Sequence, residues 1–182
     1  MIKVYFPKLF GELVNLRELS KNDATTIVSL MNYDISKYLY KVPNPYKIED
    51  ALKFIKSCCD DFRLHKGITF AIDFKDQSKS IQLLSGIIGI KDINYTNKKA
   101  NIGYWIGKQY QSKGIATESV KLIVNYAFDI LKLVEISAYV FPENKPSIRV
   151  LEKNKFIKVE EINEYHPLSN SYRNSLVYRI RN

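Results

Sequence analysis

Tyr104-Trp105-Ile106-Gly107-Lys108-Gln109-Tyr110-Gln111-Ser112-Lys113-Gly114-Ile115-Ala116-Thr117 is the stretch on which the reading of this chain turns. A strand-like run over 100–106 ends inside it. An amphipathic helix opens at Gly114 and carries Ala116, Val120, Ile123, Val124, Ala127 and Leu131 on its inner face. The first turn of a helix leaves backbone N–H groups without intrahelical partners, and the macrodipole makes that end positive. Gly114 and Ala116 are small enough to let a phosphate reach the backbone. Lys113 adds a mobile cation, and Ser112 and Thr117 add hydroxyl donors. In physical terms the segment is a diphosphate cradle. It is not a Walker loop, because Gly-Lys-Ser/Thr is missing at the required spacing, and it lacks the Gly-x-Gly-x-x-Gly of dinucleotide sites. By itself Gln-x-x-Gly-x-Ala is a weak pattern, since a glycine before a helix is more often an ordinary turn.

The flanking sequence supplies the context. Residues 13–17 read as a first strand, and Ser20 with Asp23 marks a helix start whose inner face is Ala24, Ile27, Val28 and Met31. Pro43-Asn44-Pro45 is a loop, and a second helix covers about 48–64. Three strand-like runs follow at 68–74, 83–90 and 100–106, then the long helix over 114–131. A strand at 135–141, a helix at 145–154, and strands at 156–161 and 176–181 complete the chain. The result is an α/β domain. Its 182 residues suit one domain spanning 1–182, large enough to bury about two-thirds of its unfolded surface.

Composition narrows the function classes. No apolar run approaches the roughly 20 residues of a membrane span, and the start shows no secretory signal. The two cysteines, Cys58 and Cys59, are adjacent, which fits buried free thiols and a reducing, cytoplasmic setting. Two histidines without a Cys/His cluster give no metal site. The net charge of +9 suggests anionic partners, but the excess is spread along the chain with no block of five like charges. A lysine-rich solvated surface is the favoured reading over direct nucleic-acid binding.

Gln111-Ser112-Lys113-Gly114-Ile115-Ala116 resembles motif A of the Gcn5-related N-acetyltransferases (GNAT), Gln/Arg-x-x-Gly-x-Gly/Ala. Upstream, Asn101-Ile102-Gly103-Tyr104-Trp105-Ile106 resembles that family's fourth strand. Downstream, Asn144-Lys145-Pro146-Ser147, followed by Leu151-Glu152-Lys153, matches the Asn-x-x-Ser…Leu-Glu-Lys pattern before its sixth strand. Leu16-Arg17-Glu18-Leu19 with Asp23-Ala24, and 172–178, resemble its opening and closing elements. The match runs in order along essentially the whole chain. It is closest to the branch of ribosomal-protein N-terminal alanine and serine acetyltransferases.

The resemblance implies a mostly antiparallel sheet splayed between the fourth and fifth strands and flanked by about four helices. The fourth strand carries a bulge in that family, and the gap admits the pantetheine arm of acetyl-CoA. By alignment Tyr104, Trp105 and Ile106 face that arm, and the pyrophosphate lies on Ser112, Lys113, Gly114, Ile115, Ala116 and Thr117, flanked by Gln111. The implied reaction is direct acetyl transfer to a primary amine, with a ribosomal-protein or peptide N-terminus as first choice. A small-molecule amine is the alternative acceptor, and a non-catalytic acyl-CoA-binding module the alternative role. Dimers are common in the family, so a homodimer is an expectation.

Departures from the family pattern matter as much. Many members use a Tyr as the acid for the leaving thiolate, where this chain has Leu151. The ribosomal-protein branch can use a serine one turn earlier. Ser147 is therefore the expected thiolate partner, with Asn144 beside it on the same helical face and both against the cofactor. Both residue types are also ordinary helix caps. Three usual acid positions hold Tyr139, Asn101 and Asn174. A water chain, one of Glu160, Glu161 and Glu164, or an acceptor amine of low pKa remain as routes for the amine proton. His166 could reach the acceptor cleft, though loop histidines are commonly uninvolved. Lys155 stands where the family has a left-handed glycine, and Asn154 could take that cap instead.

Overall fold

The computed structural model describes residues 5–39, 42–76, 81–166 and 170–182. One eight-stranded sheet runs through them, in the order β1-β2-β3-β4-β5-β6-β8-β7. The strands are β1 (Leu9–Phe10), β2 (Val14–Glu18), β3 (Ile68–Asp76), β4 (Ile81–Asn94), β5 (Lys99–Ile106), β6 (Glu135–Val140), β7 (Ile157–His166) and β8 (Ser171–Arg181). The helices are α1 (Ala24–Leu30), α2 (Tyr33–Ser36), α3 (Ile48–Arg63), α4 (Ile115–Asp129) and α5 (Lys145–Lys153). The two-residue β1 shifts the count, so β5 and β6 correspond to the fourth and fifth strands of the family pattern.

Alternation along β3 and β4 supplies both faces of the sheet with apolar side chains. Phe70, Ile72, Ile88 and Ile90 join Val120, Ile123 and Ala127 of α4 and Leu151 of α5 in one core. Ala71 and Ile87 point the other way and meet Ile27 of α1 and Ala51, Ile55 and Cys58 of α3. Helices on both faces explain why Ile68 through Asp73 is buried without interruption.

Every neighbouring pair is antiparallel except β5 and β6, which run parallel. Their pairing stops after Lys99↔Glu135, Ala100↔Ile136 and Asn101↔Ser137. Beyond Asn101 the two strands separate, so Tyr104–Ile106 and Ala138–Val140 face each other across a gap. The splay expected from the sequence is present. The bulge is elsewhere. The β4–β5 register is continuous from Gly86↔Ile106 to Lys91↔Asn101 and shifts only between Lys91 and Asn94, beside Asp92 at φ 53°. The irregularity therefore lies in β4 at the closed end of the splay, not at 104–106.

Three further differences concern single elements. α2 was not legible as a helix: it spans four residues, capped by the Asn32 side chain accepting from Ile35 N–H. β7 and β8 extend beyond the expected 156–161 and 176–181 into one long antiparallel pair. At the end of α5, Lys155 itself takes the left-handed conformation at φ 65°. Asn154, the C-cap residue, stays at φ −94°, and its side-chain amide donates to the carbonyls of Thr117 and Val150 and ties α5 to the first turn of α4.

Candidate active site

The splay opens into a cleft of about 810 Å³. Its walls are the C-terminal halves of β5 and β6, the starts of α4 and α5, the α2 segment, and Glu164 of β7. Tyr104, Trp105, Ile106, Gln111, Ser112, Gly114, Ile115, Ala116, Thr117, Asn144 and Ser147 all line it. The geometry thus brings together eleven of the twelve residues singled out from sequence. Lys113 is the exception. Its ammonium lies 5.5 Å from the Phe74 ring centroid and 5.8 Å from that of Tyr110, and the residue does not line the cleft.

The cradle is built by backbone. Gly107 N–H donates to the Ser85 carbonyl, which fixes the chain as it leaves β5. The Gln111 side-chain amide donates to the Ile106 carbonyl and braces the loop from within. Ser112 at φ 62° and Gly114 at φ 81° both take left-handed conformations. Gly114 is the N-cap of α4, and the first helical bond runs from Glu118 N–H to its carbonyl. The N–H groups of 115–117 therefore have no intrahelical acceptor and lie at the positive end of a 15-residue helix. Ile106 and Ile115 are buried, so only their backbone can face a ligand.

The opposite wall is the start of α5. Asn144 is its N-cap, with the side-chain oxygen accepting from Ser147 N–H at 3.3 Å, and Pro146 precedes Ser147. The capping reading of these residues and their presence in the cleft hold together. Asn144, Pro146 and Ser147 all line the cleft, so a second helix N-terminus borders it. The Tyr104 hydroxyl reaches Ser147, 2.9 Å from Oγ and 3.2 Å from the carbonyl oxygen. Burial pushes the Tyr104 phenol well above its ordinary range, and the Ser147 contact opposes that only in part. Leu151, where many relatives have a tyrosine, is a buried apolar side chain.

The polar groups at the acceptor end sort clearly. Of the three neutral residues at usual acid positions, Tyr139 lines the cleft. Asn101 does not line it and donates to Asp92 of β4, and Asn174 is exposed outside it. Among the three candidate glutamates, Glu160 pairs with Arg179 and Glu161 with Lys158, whereas Glu164 lines the cleft. The His166 side chain lies outside the described residues.

Several lining residues were missed from sequence. Asp34, on α2, bonds to both Lys37 and Lys108, and those two ammonium groups hold its carboxyl below the usual range. Phe141 lines the cleft too, and Arg173 of β8, which does not, stacks on it with 3.7 Å to the ring centroid, donates to the Lys37 carbonyl and pairs with Glu143. α2 is thereby held over the cleft from two sides. Arg149 and Lys153, one helical turn apart on α5, also line it; their i,i+4 spacing was visible in the sequence.

A thioester carrying a diphosphate and an extended amide-bearing arm fits these surroundings. The cradle supplies unpaired N–H groups and a glycine where a Cβ would lie 3.3 Å from Leu13 Cδ1. The parted strands supply unpaired backbone for the arm. No helix among the described residues is long and apolar enough to cross a membrane, and no cluster of metal-ligating side chains occurs among them.

Comparison with known proteins agrees with this geometry. The model described as "Acetyltransferase (GNAT) domain" matches residues 14–157. The chain is 34% identical over 158 residues to "Probable N-acetyltransferase YjcK" of Bacillus subtilis, covering 82% of this chain and 83% of that one. It is 27% identical over 155 residues to "Putative ribosomal N-acetyltransferase YdaF" of the same organism, covering 81% and 80%. It is 24% identical over 164 residues to "Spermidine N(1)-acetyltransferase" of Escherichia coli, covering 90% and 83%. Among solved structures, Mycobacterium smegmatis RimJ in complex with CoA-disulfide superposes with a TM-score of 0.83 at 19% identity, covering 97% of this chain and 86% of that one. With a family model spanning most of its length and a splayed-sheet cleft of the matching form, this chain belongs to the Gcn5-related N-acetyltransferases and is an acetyl-CoA-dependent acetyltransferase.

Proposed function

We propose that the enzyme transfers the acetyl group from acetyl-CoA directly to the α-amine of a peptide or protein N-terminus. The observation that carries the acceptor choice is the charge of the cleft. Lys37, Lys108, Arg149 and Lys153 line it against two carboxylates, Asp34 and Glu164. Asp34 is already held by two lysines. Glu164 is then the one carboxylate lining the cleft without an ion-pair partner among the described residues. A polyamine would bring several ammonium groups to a site that offers one free carboxylate and leaves the others without a partner. An N-terminus brings one amine beside a short side chain, and Leu39, Tyr38 and Phe141 offer it an apolar wall.

In the proposed reaction the neutral amine attacks the thioester carbonyl, the C–N bond forms, and the C–S bond breaks with its electron pair going to sulfur. The amine's proton leaves to Glu164 or water. An α-amine titrates near pH 8, about two units below lysine, so a usable fraction is neutral without a strong base. The Ser147 hydroxyl, helped by the α5 N-terminus, donates a hydrogen bond to the departing thiolate. Ser112 to Thr117 hold the diphosphate, and Tyr104 to Ile106 hold the arm.

The test is steady-state acetylation of three acceptors by the purified enzyme: a short peptide beginning with Ala or Ser, the same peptide with a blocked N-terminus and one lysine, and spermidine. The reading expects kcat/KM for the first to exceed the others by at least about a hundredfold, the scale of one unpaired charge in a partly desolvated site. Faster turnover of spermidine would replace it with a small-amine acetyltransferase.

A further inference from the structure

The contact between Tyr104 and Ser147 joins residues 43 positions apart, one on β5 and one on α5. Either hydroxyl could donate across the 2.9 Å separation. The second contact shows where the phenolic proton points. The Ser147 carbonyl oxygen, 3.2 Å from the same phenol, can only accept. A single phenolic proton directed at Ser147 lies within reach of both oxygens and can be shared between them. In that shared arrangement Ser147 accepts at Oγ and keeps its own proton for a third partner. Its hydroxyl belongs to a residue that lines the cleft. The opposite assignment, with Ser147 donating to Tyr104, would turn that proton into the protein.

We propose that Tyr104 is a positioning residue for the leaving group: its hydroxyl, by donating to Ser147, frees and aims the Ser147 proton at the sulfur of CoA. This rests on the role of Ser147 under the proposed function. A hydroxyl that accepts one hydrogen bond becomes a better donor of the next, so the Tyr104 bond also strengthens the one made to the thiolate. Tyr104 itself transfers no proton. Burial keeps its phenol neutral across the working pH range, so it remains a donor wherever the enzyme is assayed.

The readout needs no acceptor. A group that stabilises bound thiolate lowers the pKa of the CoA thiol in the complex. Affinity for CoA must then rise with pH between the lowered and the free value, while affinity for desulfo-CoA, which has no sulfur to ionise, does not. Calorimetric Kd values for both ligands from about pH 7 to about pH 9.5 should show wild-type CoA gaining on the order of tenfold over desulfo-CoA, the effect of a one-unit lowering. Ser147→Ala should abolish the gain and Tyr104→Phe should reduce it to less than half. Each variant's CoA affinity is read against its own desulfo-CoA affinity at the same pH, so a pH-independent change in the site cancels. Tyr104→Met is a second hydroxyl-free variant should the phenylalanine fold poorly, and Ser147→Thr should keep the gain. With peptide acceptor, Tyr104→Phe should lower kcat by roughly tenfold at unchanged KM for acetyl-CoA, and should add nothing in the Ser147→Ala background. A full gain in Tyr104→Phe alongside a lost gain in Ser147→Ala overturns the inference and leaves the Ser147 assignment standing. A flat wild-type profile overturns both.

Discussion

Replacing Glu118 tests how the cradle is mounted. This side chain, in the first turn of α4, accepts three backbone N–H groups from the β1–β2 turn: Glu12 at 2.7 Å, Leu13 at 2.8 Å and Val14 at 2.9 Å. Gly11 packs so closely that a Cβ there would lie 2.7 Å from the carboxyl carbon. The same turn carries Leu13, whose side chain lies beneath Gly114. Glu118→Ala removes the acceptor of all three donors. The Glu12 N–H is exposed and can turn to water, so its loss counts for little. The other two are partly buried and bond to a charge, which is worth about 1.5 kcal/mol each at the lower end of the range. The sum is about 3 kcal/mol. At roughly 2–4 °C per kcal/mol for a chain of this size, Tm should fall by about 6–12 °C. Glu118→Gln keeps one oxygen but sets an amide N–H against backbone donors, and should lose an intermediate amount. Lys121→Ala, on the exposed side of the same helix, should shift Tm by no more than about 1–2 °C. Thermal unfolding by circular dichroism measures all three. A loss below about 2 °C for Glu118→Ala would refute the claim that this carboxylate mounts α4 on the sheet edge.

Other perturbations probe other joints. Gly114→Ala forces a Cβ into the left-handed region, at about 1–2 kcal/mol, and should lower Tm by roughly 2–8 °C while weakening acetyl-CoA binding. Arg17→Met strips the guanidinium from Asp23 and Asp73, both largely buried, and should cost about 3–5 kcal/mol in urea unfolding at neutral pH. Burial alone would raise the Asp23 carboxyl, but Arg17 and the Ser20 N–H hold it below its usual value. Its contribution is therefore complete above about pH 4 and lost as pH falls through the lower folded value, so the gap between wild type and Arg17→Met should narrow in acid. Arg149→Ala with Lys153→Ala should raise the Kd for acetyl-CoA about fivefold to tenfold by titration calorimetry, with the difference shrinking as salt rises.

Features that depend on local chemistry were legible in the sequence. Gly114 marks the start of α4 because a glycine suits φ 81°, and the apolar spacing of 116–127 survives as the inner face of that helix. Asn144 reads as a cap from its residue type, and it is one. What could not be read depends on partners far along the chain. α2 has four residues and is held over the cleft by Lys108, 74 positions from Asp34, and by Arg173, 136 positions from Lys37. No local pattern announces that. Tyr104 and Trp105 of β5 were placed on the cofactor arm by resemblance alone, and only the meeting of Tyr104 with Ser147 gives one of them a chemical task. Lys155 adopts φ 65° against its own preference because the end of α5 is fixed on both sides, by the Phe156 N–H bond to the Leu151 carbonyl and by Asn154 reaching Thr117.

The central claim concerns which amine is acetylated, and one experiment reads it directly. The enzyme is incubated with acetyl-CoA and a peptide that has a free N-terminal Ala or Ser and one internal lysine, near pH 8, and the acetyl group is located by fragment mass spectrometry. The account predicts modification of the α-amine, with the lysine untouched. Acetyl found on the lysine, or on added spermidine while the peptide stays unmodified, would contradict it.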